Sequence, residues 1–248
     1  MSVEYNTKRA PYEALVSARK RCRACVDPTN PARDLTNASV IEGGIFDCDE
    51  IGAWSQWQGN LDAELMVVAQ DFGDVRWFLR EKGRPTSRKP SRTNKALVEL
   101  LGFAGFSIRL AHQTSGKGPL FFTNGVLCMK QGGASASVKD HWFRNCGMFF
   151  LRPLIDLVQP KVIVCLGKKA YRGVLTAYKM SPREFSSAVE SDEPDVLSSG
   201  IAVFAVYHCA ARVQNTHRNL AAQREDWKRI GKFLGRNQDV TYLEDHFR

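Results

Sequence analysis

Four short runs of the chain are apolar at successive positions instead of alternate ones: Glu64–Ala69 (ELMVVA), Leu120–Thr123 (LFFT), Lys161–Leu166 (KVIVCL) and Ile201–Val206 (IAVFAV). Each is rich in Val, Ile or Phe and lacks polar alternation, the pattern of strands covered on both faces in a parallel sheet. Helical spacing fills the intervals. Asn94–Leu101 carries Leu97, Val98, Leu100 and Leu101, Phe143–Val158 has a long apolar face, and Gln223–Leu234 gathers Trp227, Ile230, Phe233 and Leu234 on one side as a predicted last helix. The alternation predicts an α/β sandwich with right-handed crossovers around a four-stranded, mainly parallel sheet.

Ligands of such a sheet bind beyond the carboxyl ends of its strands. The first run ends in Gln70-Asp71-Phe72-Gly73, the second in Asn124-Gly125, the third in Gly167 and the fourth in Tyr207-His208. A carboxylate, an amide and an imidazole are thus predicted on one edge. Singly, a strand-end Asp is an ordinary helix cap and a strand-end Asn an ordinary turn residue; their joint placement marks a candidate site.

At 248 residues and 44% hydrophobic, the chain suits one domain spanning 1–248, with its core at about 21–234. Lys and Arg number 35 against 26 Asp and Glu, and the net charge of +9 favours a polyanion such as nucleic acid as partner. No apolar stretch suits a signal peptide or a bilayer span, so a cytoplasmic protein without a membrane partner is expected. The acidic, Ser- and Pro-containing stretch 181–200 reads as a surface insertion.

Seven cysteines, an odd number, argue against a disulfide framework. Cys22 and Cys25 form a C-x2-C, and Cys128 and Cys146 flank the Gln131–Val138 loop. Two thiolates on one turn plus two from elsewhere make an S4 site, and on spacing alone zinc and a 4Fe–4S cluster fit equally. Cys165 reads as a small hydrophobe in a strand, Cys209 as a packing residue, and Cys48 has no evident partner.

These residues carry a resemblance. Ala69-Gln70-Asp71-Phe72-Gly73 is similar to the first motif of the uracil-DNA glycosylases, written GQDPY in one branch and GEAPG in the iron–sulfur enzymes of family 4. Phe122-Thr123-Asn124-Gly125-Val126-Leu127-Cys128 resembles the family 4 stretch in which a TN pair precedes a cluster cysteine, and Cys146 to Gly167, ending PKVIVCLG, resembles a further family segment. His208-Cys209-Ala210-Ala211-Arg212 stands where HPSPL is expected. The chain is identified as a divergent member: motif one mixes two branches, motif two keeps only its histidine, and Arg212 replaces the usual wedging leucine.

The resemblance implies a three-layer αβα sandwich and hydrolysis of the N-glycosidic bond of uracil in DNA, with the base flipped out and an abasic site left behind. It implies that Asn124 reads uracil N3–H and O4, and that His208 donates to O2 as charge develops there. Asp71 would stabilise the sugar cation and orient water, with Gln70, Phe72 and Gly73 lining the pocket and backbone N–H groups near Gln70 also holding O2. Neither family thymine blocker is present, since Gly73 and Gln70 hold those positions; Phe72, Trp77 and Phe78 are the aromatic choices for stacking on the base. Cys22, Cys25, Cys128 and Cys146 would hold a structural 4Fe–4S cluster, with zinc the lesser alternative.

Single- or double-stranded uracil-containing DNA is the implied partner of a monomer. Arg88 and Lys89 in the basic run 76–95, with Arg212, His217 and Arg218, would contact it. Two rivals stand beside this reading: a glycosylase of the same fold acting on hypoxanthine, xanthine or mispaired thymine, and a non-catalytic iron–sulfur nucleic-acid binder. No lysine takes a motif position suited to a Schiff base, which argues against a lyase.

Overall fold

The computed structural model describes residues 4–26, 29, 35–52, 59–83, 91–109, 119–133 and 136–236. In chain order the elements are α1 (Glu4–Arg21), β1 (Leu35–Thr36), β2 (Leu65–Asp71), α2 (Val75–Arg80), α3 (Arg92–Phe103), β3 (Leu120–Val126) and β4 (Met129–Lys130). There follow α4 (Asp140–Cys146), α5 (Arg152–Val158), β5 (Val162–Leu166), α6 (Lys168–Ala177), α7 (Phe185–Glu190), β6 (Asp195–Val196), β7 (Ala202–Val206), α8 (Ala211–Thr216) and α9 (Leu220–Phe233).

The main sheet has the order β3-β2-β5-β7-β6; its first four members are parallel and are the four predicted runs. Successive side chains on a strand point to opposite faces, and here both faces are covered. Met66, Val68, Phe121, Ile163, Cys165, Val203 and Ala205 pack into the core shared with α1, α4, α5, α6 and α7. Leu65, Val67, Leu120, Val162, Val164, Ala202 and Phe204 pack with α3 and α9, around Trp227 and Ile230. This is the three-layer αβα sandwich.

Among the described residues five strands form the sheet, not the four expected. The fifth, β6, pairs antiparallel with β7 and comes from the stretch expected to be a surface insertion. That stretch is part of the body of the protein: Phe185, Ala188, Val189 and Leu197 are buried, and the Leu197 N–H donates to Ile201 O at 2.9 Å to close the hairpin. Its apolar positions are spaced among Ser and acidic residues, and two residues are too few to establish a strand period. The long helix expected at 143–158 is divided by a π-helical turn at Gly147–Leu151, just before Pro153, whose missing N–H cannot continue the ladder. No helix among the described residues is long and apolar enough to cross a membrane.

Two buried ion pairs tie peripheral segments down. Arg19, 1% exposed, donates from Nη1 to both carboxylate oxygens of Asp47 at 2.7 and 2.8 Å, and from Nη2 to Cys48 O and Glu50 O, fastening α1 to the loop that follows Ala38–Gly44. On the other side Asp226, 2% exposed, accepts from Arg218 at 2.6 and 2.7 Å and from Arg229 at 2.6 Å, joining α9 to the chain after α8. Removing one member of such a pair strands the other's charge in a poor solvent. Asp226→Ala is therefore expected to cost about 3–5 kcal/mol of folding stability in urea denaturation; an unchanged midpoint would show that these contacts do not brace the fold.

Candidate active site

Strand β2 carries Asp71 to the carboxyl edge of the sheet, and the chain then turns sharply at Gly73, where φ is +100°. Three donors converge on the Asp71 carboxylate. The Gly73 N–H reaches Oδ1 at 2.8 Å, the Gln70 amide reaches Oδ2 at 2.7 Å, and the Lys130 ammonium lies 3.2 Å from each oxygen. The next carboxylate, Asp74, serves the backbone instead and caps α2 by accepting from the Trp77 N–H at 3.0 Å.

Asn124 lies inside β3, which runs three residues further than its apolar run suggests, and its register pairs it with Ala69 of β2. It is 3% exposed, and its Oδ1 is buried without a hydrogen-bond partner. A buried amide oxygen left unmatched is costly, and it is an acceptor available to a donor that enters from outside. Next to it, a Cβ at Gly125 would stand 2.7 Å from the Phe143 ring, so only glycine lets Phe143 pack there.

His208 follows β7, beside Gly167 at the end of β5. The Ala210 N–H donates to His208 Nδ1 at 3.1 Å, which leaves the proton of the neutral ring on Nε2. Burial lowers the imidazole pKa, against the opposing pull of the Asp71 charge. A neutral ring with its N–H donor on Nε2 is the form needed to meet a developing anion.

The other expected site residues divide. Gln70 and Gly73 are at the edge, with Gln70 drawn onto Asp71. Phe72 is 4% exposed and Phe78 fully buried, both as members of the core; Trp77 is half-buried and packs over Gly73, where an added Cβ would meet its ring at 3.3 Å. Arg212 and His217 are exposed on and just after α8. Arg218 is not free for a phosphate: its guanidinium is forked onto Asp226 and lies 3.8 Å from Glu190. Arg88 and Lys89 lie outside the described residues.

Two features escape a reading of the sequence. Lys130 is 3% exposed and touches the Asp71 carboxylate, although nothing in its spacing marks it. A cavity of about 290 Å³ beside the start of α6 is lined by Arg144, Lys168, Lys169 and Arg172 over Phe143 and Gly173. The adjacent Lys168 and Lys169, directly after the strand-end Gly167, are its signal in the sequence.

The four cysteines Cys22, Cys25, Cys128 and Cys146 line one small cavity with Leu35, Leu127, Phe150, Asn145 and Arg19. Among the described residues no three His, Cys, Asp or Glu side chains are gathered closely enough to chelate a single ion. The surroundings suit a sulfur-rich group: Asn145 donates to Cys25 Sγ at 3.3 Å, and the Arg19 Nε is buried with no partner. Burial pushes the Cys146 thiol up to about 12 and Cys128 higher still, so thiolates here require a compensating positive centre.

The Uracil DNA glycosylase superfamily model matches residues 57–231, which include the Asp71, Asn124 and His208 strand ends. The chain belongs to the uracil-DNA glycosylase superfamily. It is thereby a DNA glycosylase, a hydrolase of DNA repair. The type-4 uracil-DNA glycosylase of Archaeoglobus fulgidus is 25% identical to it over 188 residues, 74% of this chain and 83% of that protein.

Because His208 is buried neutral, the unfolded imidazole binds a proton first as pH falls. Its contribution to this glycosylase's stability is fully present above about pH 6.5 and is lost as pH falls through the lowered folded value. The drop in thermal midpoint between about pH 7.5 and about pH 5.5 should be smaller in His208→Gln than in the native chain. Equal drops would mean that His208 does not carry this dependence.

Proposed function

We propose that this glycosylase removes uracil from DNA by flipping the nucleotide against the sheet edge and hydrolysing its N-glycosidic bond. The observation that carries the reading is the buried, unmatched Oδ1 of Asn124 on the same edge as Asp71 and the Nε2–H of His208. Uracil presents N3–H to that oxygen and O4 to the amide nitrogen. Cytosine presents an acceptor at N3 and a donor at N4, which would oppose like groups and leave both ends unsatisfied.

As the bond breaks, electrons pass to the base and positive charge develops on the sugar. The His208 Nε2–H donates to O2 and stabilises the departing anion, and its Nδ1 is already occupied by the Ala210 N–H, so the ring need not reorient. Asp71, held by the Gly73 N–H and the Gln70 amide, presents its charge to the sugar and orients the incoming water. Arg212, His217 and the cations around Lys168 and Arg172 supply phosphate contacts. Cys22, Cys25, Cys128 and Cys146 would hold a 4Fe–4S cluster that braces the N-terminal arm and takes no part in bond cleavage.

A second reading, a wider range of deaminated or mispaired bases, draws on two features. Gly73 leaves out a blocking aromatic, and Gln70 is occupied with Asp71.

Asp71→Asn and His208→Ala should each lower excision from a uracil-containing oligonucleotide by about 10²-fold or more, by loss of transition-state stabilisation. Near-native rates in both would remove the mechanism. Asn124→Asp should weaken uracil excision; unchanged specificity across uracil, cytosine, thymine and hypoxanthine would move base reading elsewhere. Cys22→Ala should bleach the brown absorbance of aerobically purified protein and lower its thermal midpoint, whereas colourless, stable native protein would point to zinc or to no metal.

A further inference from the structure

The cavity of about 290 Å³ between α4 and α6 is one-sided in charge. Arg144 lines it from α4, and Lys168, Lys169 and Arg172 line it from α6, against a single carboxylate, Asp140. Lys169 is already committed, since its ammonium donates to Val138 O and lies 3.9 Å from Asp140. Among the described residues Arg144, Lys168 and Arg172 have no such partner. Cations gathered without counter-charge repel one another, and walls of low polarity focus their field on whatever anion enters.

The cleft is built into the packing. The Phe143 ring occupies the space that a Cβ would need at both Gly125 and Gly173, at 2.7 and 2.8 Å. Glycine inside a helix costs roughly 1 kcal/mol relative to alanine, and at Gly173 it is what lets Phe143 of α4 pack against α6. One end of the cleft belongs to the candidate active site. Lys168 directly follows Gly167, where an added Cβ would lie 3.8 Å from the His208 Cβ. Arg172 stands one helical turn further on, on the same face of α6 as Lys168.

Size then selects among anions. At about 30 Å³ per water, the cavity equals roughly ten waters, far more than one phosphate group fills. A double helix is too wide to enter, and its bases stay stacked outside. An unpaired strand can place phosphate, sugar and base between the two helices, as grooves for single strands do. We propose that the cleft between α4 and α6 binds an unpaired stretch of DNA beside the flipped nucleotide, its phosphates held by Arg144, Lys168 and Arg172. The chain thereby favours single-stranded over duplex DNA. The proposal rests on the reading above that DNA is the substrate, and adds the form of DNA that the site takes.

The test measures binding of the full chain to a uracil-free oligothymidylate of about 16 nucleotides and to the same strand in a duplex, by fluorescence anisotropy over a range of salt. Arg144→Ala with Arg172→Ala should weaken single-strand binding about tenfold or more, and should flatten log K against log salt by about 1.4 for the two lost contacts. Duplex binding should change by less than about twofold. Unchanged single-strand affinity and salt slope, or an equal loss on both forms, would overturn the proposal. A second measurement keeps to the native chain: lysine acetylation mapped by mass spectrometry, in which the single strand should protect Lys168 and the duplex should not. Lys168 left equally reactive with and without the single strand would also overturn it. Because the DNA contains no uracil, neither result depends on the base reading, which excision from uracil-containing DNA scores separately.

Discussion

Burial of the sheet on both faces is the constraint from which the rest of the architecture follows. With α1, α4, α5, α6 and α7 on one side and α3 and α9 on the other, the strands β2, β3, β5 and β7 have no wet face on which to place a polar side chain. Polar chemistry is confined to the strand ends, and parallel pairing brings the carboxyl ends of all four to one edge. Asp71, Asn124 and His208 meet because the core leaves them nowhere else to be. Low solvent exposure there also strengthens each electrostatic contact while penalising any that is incomplete.

The motif-one turn shows how that penalty is managed. Asp71 has a hydrogen-bond donor for each oxygen before Lys130 is counted, and the His208 ring is fixed at Nδ1 by a backbone N–H two residues away. Asn124 is the exception, with its acceptor unmet. An unmet group in an otherwise satisfied site is a sign of where a ligand belongs, because the free protein bears a cost that binding removes.

The four long strands are legible in the sequence because a short, continuous apolar run between turn residues seldom forms anything but a buried strand. The candidate edge is legible because parallel strands fix which ends matter. Contacts between distant residues are less so. Arg218 resembles a phosphate ligand by its basic neighbours, whereas its partner Asp226 lies on α9, beyond the reach of local spacing. Lys130 follows Cys128 by two residues, and the short β4 that turns it toward Asp71 has no period to detect. Phe72, a pocket residue by its motif position, belongs to the core. The overall polarity of 181–200 conceals four buried apolar side chains.

Strand β6 has a further consequence. Only two residues long and antiparallel, it covers β7 and ends the sheet, with the Asp195 carboxylate engaged by the Tyr171 hydroxyl at 2.6 Å and by Arg183 at 3.1 Å. An uncovered β7 would offer the open hydrogen-bonding row of an apolar strand to any neighbouring molecule. A short, charged border strand gives such a neighbour almost no template to extend. The segment thereby guards against edge-to-edge aggregation when the protein is crowded or concentrated.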